Sequence, residues 1–434
     1  MTDYLDILMF GALMIAILSG FPVSFSIAGV AIIFAYLGWA LGAMDITLLG
    51  AMGQRVFGLL SNNVLIAIPL FVLMGAVLEK SRIAEDLLDT MGRLFGQLRG
   101  GLGISVVLVG ALLAASTGIV GATVVAMGMI ALPTMLRAGY DPRVASGIVC
   151  TAGTLGQIIP PSTLLIILAD VMSNAYQQAQ YEQGKFSVEA LSVGQFFAAA
   201  LMPGLLLVVL YLLYVLARGA LRPQDMPPAP MDLAKPDRAE IFSAIVPPVL
   251  LIFAVLGAIL GGVATPTEAA SVGAVGALLM AGRRMGQSPR LILWGAAALI
   301  AVGILAGAFP VRLQRNDLDL GSYALGALYA CLALVGVLAI LQALRVVMQQ
   351  KVITQALNST LTMTSMIFAT ILSAGIFSLV FIGLGGEDRV ADMLADLPGG
   401  PNGALLFCML FIFVLGFFLD FVEISVIVLP LVTP

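Results

Sequence analysis

Thr151-Ala152-Gly153-Thr154-Leu155-Gly156-Gln157-Ile158-Ile159-Pro160-Pro161-Ser162 sits in the middle of an apolar segment running from 142 to 173. Such a segment exceeds the roughly 20 residues a helix needs to cross about 30 Å of hydrocarbon. Two adjacent prolines remove two backbone donors and clash with the preceding turn, so no regular helix runs through them. Carbonyls are therefore left free at mid-membrane depth, where they are tolerated only against protein, water or an ion. The segment implies a membrane protein whose irregular backbone marks a site.

The rest of the chain agrees. It is 61% hydrophobic and 10% charged, and many of its apolar runs are long enough to span. Strand alternation of the barrel type is absent, so the fold class is all-α and polytopic. Runs bounded by Gly, Pro or charge predict helices near 3–19, 22–40, 62–79, 194–217, 241–262, 265–281, 291–309, 321–344 and 352–383. The first segment opens on Met1-Thr2-Asp3-Tyr4, without the basic start and cleavage site of a secretory signal, and is read as retained. Cys150, Cys331 and Cys408 stand singly in apolar segments, which suits small buried side chains better than a disulfide framework or a zinc site. The chain has no histidine. That removes imidazole catalysis, His-ligated metal and a His proton relay, and with single cysteines and few buried acids it leaves an intramembrane enzyme without a nucleophile–base pair.

An internal duplication organises the chain. Arg82, Ile83, Ala84, Glu85, Leu87 and Asp89 reappear at the same spacing as Arg389, Val390, Ala391, Asp392, Leu394 and Asp396. Both copies lie in segments, 80–98 and 387–397, that mix charge with leucines at helical spacing and read as amphipathic arms in the interface. Each arm precedes a run, 100–136 or 402–434, too long for one crossing and interrupted by Ser116-Thr117-Gly118 or by Gly416 to Glu423. Two half-crossings that enter and leave on one side explain both. With 100–136 re-entrant, Lys80, Arg82, Arg93, Arg99, Arg137 and Arg143 share a side with Arg218, Arg222, Lys235, Arg238, Arg283, Arg284, Arg290, Arg345 and Lys351. Only Arg55, Lys185, Arg312, Arg315 and Arg389 fall opposite. The richer side is cytoplasmic, so the first arm lies inside, the second outside, and the repeats are inverted. The Pro-rich stretch from Arg222 to Pro236 reads as a cytoplasmic linker. It divides an N-terminal half, 1–217, from a C-terminal half, 241–434, across a 218–240 connection.

Several motifs carry both a functional and a plain reading. The tip Ala115-Ser116-Thr117-Gly118-Ile119-Val120-Gly121-Ala122-Thr123 offers hydroxyls and glycines where half-helix ends would converge, a place for a small cation beside an anionic group. Small residues also serve tight helix packing. Asp420 and Glu423 lie inside the second hairpin, where an ionisable group is a functional candidate, or else near the outer interface in contact with water. Thr265-Pro266-Thr267-Glu268 has the spacing of a helix start with a capping box. Asn62-Asn63 opens the third span and either lines the cavity or caps that helix. Gly383–Gly386 and Pro398–Gly403 are hinges or turns, since no Gly-Lys-Ser/Thr follows.

GIVGATVVAMGMIALPTMLRAGYDP (118–142), TAGTLGQIIPPS (151–162) and ATPTEAASVGAVGAL (264–278) together resemble the large membrane (M) subunit of the tripartite ATP-independent periplasmic (TRAP) transporters, over most of the chain. The resemblance implies inverted repeats with re-entrant hairpins and broken helices, an elevator-type carrier of the ion-transporter superfamily in the bacterial inner membrane. It implies sodium-coupled uptake of a small organic anion, commonly a carboxylate, with Na+ as the coupling ion and no organic cofactor. Its partners would be a small four-helix membrane subunit, a periplasmic substrate-binding protein, the organic acid and membrane lipid, with no nucleic acid. The family pattern places ion ligands at Ser116, Thr117 and Thr123 and at Thr154, Gly156 and Ser162, with Asp420 and Ser425 in a second site. Asn62, Ser116, Thr117, Gly118, Pro160 and Pro161 are the expected substrate contacts. Helices 291–309 and 321–344 read as an inserted pair relative to shorter members, and the chain stops at Val432-Thr433-Pro434, within what should be the second hairpin. A truncated second hairpin, with its ion site incomplete, is the expectation. The alternatives are a proton-coupled carrier using Asp420 or Glu423 and a non-transporting membrane partner.

Overall fold

In the computed structural model the described residues are 4–117, 120–185, 187–228, 236–286, 289–310 and 320–432, and every regular element among them is a helix. In chain order these are α1 (Leu5–Leu18), α2 (Val23–Ala40), a 3-10 turn (Ile46–Ala51), α3 (Met52–Leu60), α4 (Ala67–Lys80), α5 (Ile83–Phe95), α6 (Gly101–Thr117), α7 (Val120–Arg137) and α8 (Pro142–Ile158). There follow α9 (Thr163–Glu182), α10 (Val193–Leu221), α11 (Arg238–Leu260), α12 (Pro266–Met285), α13 (Pro289–Ala308), α14 (Leu320–Gln349) and α15 (Val352–Gly383). Last come α16 (Gly386–Ala395), α17 (Gly400–Leu415) and α18 (Phe421–Glu423), the last continuing through a π turn at Ile424–Val428 to Val432. Six of the described helices, α2, α10, α11, α13, α14 and α15, are long and apolar enough to cross a membrane on their own.

The chain divides into two compact units that cut across the sequence halves. One comprises 69–163 and 197–361, the other 1–68, 164–196 and 362–434.

In the 69–163/197–361 unit, the core gathers Leu87 and Met91 of α5, Val106 and Val107 of α6, and Met127 and Met135 of α7 against Val144, Ile148 and Ala152 of α8. Glycine permits the closest approaches. A Cβ on Gly110 would lie 2.9 Å from both Cβ and O of Ala152, and one on Gly153 would lie 2.4 Å from Val124 Cγ2. The far ends of α6 and α7 come together: Leu102 and Met135 line one crevice beneath α5. Gly100 N donates to the Met226 carbonyl at 3.2 Å, and Asp141 N donates to the neighbouring Asp225 carbonyl at 2.9 Å. The start and finish of this run are therefore pinned to adjacent peptides, as a re-entrant hairpin requires. Residues 118 and 119, at its turn, lie outside the described residues.

The beginning of the Pro-rich connection differs from the expected free linker. Met226 is fully buried in this core, and Asp225 pairs with Arg218 at 2.7 Å. Pro223 enters a turn closed by Asp225 N on the Arg222 carbonyl at 3.0 Å, and this turned strap, which a composition argument reads only as non-helical, lies across the hairpin base.

Arm α5 forms where its leucines place it, with Glu85 and Asp86 in the first turn and Arg93 in the last, charges that match the helix dipole. Arg93 reaches Glu240 of α11 at 2.6 Å. Arg284 of α12 grips Asp86 through two nitrogens and donates to the Ser81 carbonyl at 2.7 Å. The capping box opening α12 is present: Glu268 N donates to Thr265 Oγ1 at 3.3 Å and Thr265 N to Glu268 Oε2 at 2.8 Å. Helices α13 and α14 pack on each other through Gly295 against Ala339 and Gly336 against Leu299.

In the 1–68/164–196/362–434 unit, Met9 and Leu13 of α1 and Ile27 and Ala31 of α2 pack with Phe377 and Phe381 of α15 and with Leu415 and Ile427 of the second broken run. Asp6 on α1, 1% exposed, accepts from Arg389 Nε of arm α16 at 2.6 Å. The second run breaks between Leu415 and Phe421. The region 46–66 departs from expectation, since a 3-10 turn and α3 precede the span and α4 begins at Ala67 rather than near 62. Gln54, Arg55 and three glycines break the apolar pattern there.

Gly110→Val is expected to lower the thermal unfolding midpoint of the detergent-purified protein by the equivalent of about 1–3 kcal/mol of overpacking. Gly147→Val, with nothing within 4 Å of its added Cβ, is the matched control and should leave the midpoint unchanged. Equal effects of the two would contradict the α6–α8 contact.

Candidate functional site

The proline break is built from its own residues upward. Helix α8 ends at Ile158 with Ile159 N bonded to the Leu155 carbonyl at 3.0 Å, and the Pro160-Pro161 bond is cis. An unbroken helix would satisfy the carbonyls of Gly156 and Gln157 with the N–H groups of residues 160 and 161, which prolines do not have. Ser162 Oγ, fully buried, donates to the Gln157 carbonyl at 2.6 Å and repairs one deficit. Gly156 receives no such donor from Pro160. The α10 residue Gly204 approaches the break so closely that an added Cβ would lie 3.2 Å from Ile159 Cγ1 and 3.5 Å from the Ile158 carbonyl.

One turn before the break, Thr154 Oγ1 donates to the Thr151 carbonyl at 2.8 Å. A hydroxyl that donates to a carbonyl still carries lone pairs, so the exposed Thr154 is an oxygen donor of the kind a cation uses. The Gly153–Val124 contact brings the first turns of α7, with buried Thr123, beside this segment of α8. Thr154, Gly156, Pro160, Pro161 and Ser162 therefore belong to one region, whereas the neighbouring Thr123 lines a crevice of the same unit with Glu79, Lys80 and Leu113. Ser116 and Thr117 close α6, but their side chains, and Gly118 altogether, lie outside the described residues.

Asp420 and Ser425 are spent locally in the other unit. Asp420 is the N-cap of α18, accepting from Phe421 N at 2.7 Å, while Glu423 returns to accept from Asp420 N at 2.7 Å. Ser425 Oγ donates to the Phe421 carbonyl at 2.6 Å. Asn62 caps nothing at the start of α4. Its Oδ1 accepts from Val64 N at 3.0 Å and its Nδ2 donates to Asp170 Oδ1 at 2.8 Å.

Asp170 was not singled out by its sequence context, although Asp170, Asn174 and Gln178 recur every fourth residue and put a polar stripe on one face of α9. All three line an open cavity of about 1000 Å³ together with Asn62 and Arg55, wholly within the 1–68/164–196/362–434 unit. Gln157 was also missed; it is 8% exposed and its Nε2 has no acceptor among the described residues.

With this architecture in place, a family model described as the tripartite ATP-independent periplasmic transporter, DctM component, matches residues 10–313 and 300–434. The chain belongs to this family. It is a multi-pass protein of the bacterial inner membrane. It is 34% identical over 266 residues to the C4-dicarboxylate TRAP transporter large permease protein DctM of Pseudomonas aeruginosa, covering 59% of this chain and 57% of that protein. It is 29% identical over 268 residues to the ectoine TRAP transporter large permease protein TeaC of Halomonas elongata, covering 61% and 56%. With the sialic acid TRAP transporter large permease protein SiaM of Vibrio cholerae it shares 29% over 266 residues, covering 60% and 55%. These alignments span somewhat over half the length of each relative.

Ser162→Ala would leave the buried Gln157 carbonyl without its donor, a loss of about 1–3 kcal/mol. The unfolding midpoint should fall accordingly, and Ser162→Thr, which keeps the hydroxyl, should recover part of it. An unchanged midpoint for Ser162→Ala would show that the carbonyl has another partner.

Proposed function

We propose that the chain is the translocating subunit of a TRAP transporter that takes up a small organic acid at the expense of a sodium gradient. The observation that carries this reading is the buried proline break. Pro160 denies Gly156 a backbone donor there, the Thr154 hydroxyl lies one turn away, and Val124 of α7 packs on Gly153 beside it. Oxygen donors without a formal charge suit a weakly held monovalent cation, which must bind and leave in each cycle. Such an ion raises the local positive potential and favours an incoming carboxylate, and the hairpin tip closing over the pair would couple the two. Half-helix ends facing a common spot near the bilayer midplane are the usual construction of such sites.

In this reading a periplasmic binding protein delivers the substrate, a small four-helix membrane subunit braces the large one, and the hairpin-bearing part moves as an elevator. The names of the relatives, which cover C4-dicarboxylates, sialic acid and ectoine, support a small solute bearing a carboxylate. Proton coupling through Asp420 or Glu423 is less well supported, because both carboxylates are engaged in capping α18.

The test is uptake of labelled organic acids into proteoliposomes holding both membrane subunits, with the binding protein outside. Uptake should require an inward sodium gradient and the binding protein, and should fall roughly tenfold or more in Thr154→Val, which removes one oxygen donor. Uptake driven equally well by a proton gradient in sodium-free buffer would refute the coupling.

A further inference from the structure

The cavity in the 1–68/164–196/362–434 unit has its own chemistry. Its walls come from α3, α9, α15 and α16. Arg55 of α3 donates one N–H to the Gly375 carbonyl at 2.9 Å, and among the described residues no carboxylate lies within ion-pair distance of it. On α9, Asp170 has one partner among the described residues, the neutral amide of Asn62. Asn174 and Gln178 continue the polar stripe, and Glu387 and Asp388 of the second arm complete the lining. In the orientation set by the lysine and arginine bias, Arg55 and Arg389 share the poorer, outer side, which would place this cavity toward the periplasm.

We infer that this outer cavity binds a small zwitterion, its carboxylate on the Arg55 guanidinium and its cationic nitrogen on Asp170. Arg55 is exposed and Asp170 half-buried on the walls of this open cavity, and neither has a charged partner among the described residues, so a ligand carrying both charges can reach both. The guanidinium fork matches a carboxylate. Asp170, with Glu387 and Asp388 nearby, gives the remainder of the lining negative charge, which attracts a quaternary or protonated nitrogen and repels a second carboxylate. A volume of about 1000 Å³ accommodates a small metabolite with its water. The inference deepens the uptake reading and rests on it: the solute class would be amino- or ammonio-carboxylates rather than dianions, held on the outer side before translocation.

The test is ligand-dependent thermal stabilisation of the purified full chain in sodium buffer. One panel holds zwitterions (glycine betaine, proline, ectoine) and the other dianions (succinate, malate), each at about 10 mM, where even a millimolar site is filled. Zwitterions should stabilise and dianions should not. Asp170→Asn keeps the shape and the Asn62 contact but removes the charge, so it should weaken zwitterion binding roughly thirtyfold or more while improving that of the simple anions. Arg55→Gln should abolish the zwitterion stabilisation without creating any for dianions. A merely structural Asp170 would cost the zwitterion stabilisation on mutation without letting the dianions in. Dianions equal to or better than zwitterions in the wild type, no shift with either panel, or loss of zwitterion stabilisation in Asp170→Asn with no gain for dianions would each overturn the inference. The wild-type ranking decides on its own if the variant aggregates. Intact sodium-driven uptake with zwitterion-blind binding would sink the cavity alone, whereas uptake indifferent to sodium would sink the transport reading and leave the binding result standing.

Discussion

A peptide group inside hydrocarbon must find its partner within the protein, and Pro160-Pro161 deny that partner to two carbonyls at once. Much of the surrounding architecture answers this one deficit. Ser162 turns back to Gln157, α10 presents Gly204 so that it can lie against Ile158 and Ile159, and Gly153 lets the first turns of α7 press on the same stretch of α8. The break is thus enclosed without being healed, which is how irregular backbone persists at depth and remains available to an ion.

The hairpin of α6 and α7 depends on a second constraint, the pinning of its ends. Gly100 and Asp141 bond to consecutive carbonyls, those of Met226 and Asp225, while the Met226 side chain enters the core between the helices they terminate. A chain segment that looks like a tether therefore closes the base of the hairpin. Small residues along α6 and α8 then allow contact close enough for dispersion to replace the hydrophobic drive that lipid does not provide.

Charge is used sparingly, and mostly where it is compensated. The first arm is held to α11 and α12 by Arg93 and Arg284, and the second arm to α1 by Arg389 on the buried Asp6. Asp420 and Glu423 both accept backbone N–H groups at the start of α18. Against that background the Arg55 and Asp170 walls of the outer cavity differ, since each has only a neutral partner.

The sequence by itself determined the class of fold, because apolar length and the double proline leave helices and helix breaks as the only satisfiable backbone. It also located both arms, the first re-entrant run and the Thr265–Glu268 cap, all of which rest on local periodicity or on contacts three residues apart. Tertiary structure alone decided the rest. The strap at Asp225–Met226 and the pairing of Asn62 with Asp170 join residues far apart in the chain, and the two compact units are assembled from alternating segments. No local pattern encodes which distant carbonyl will lie opposite a free donor. For the same reason Asp170 passed as one acid in an apolar helix until packing set it on the wall of a cavity.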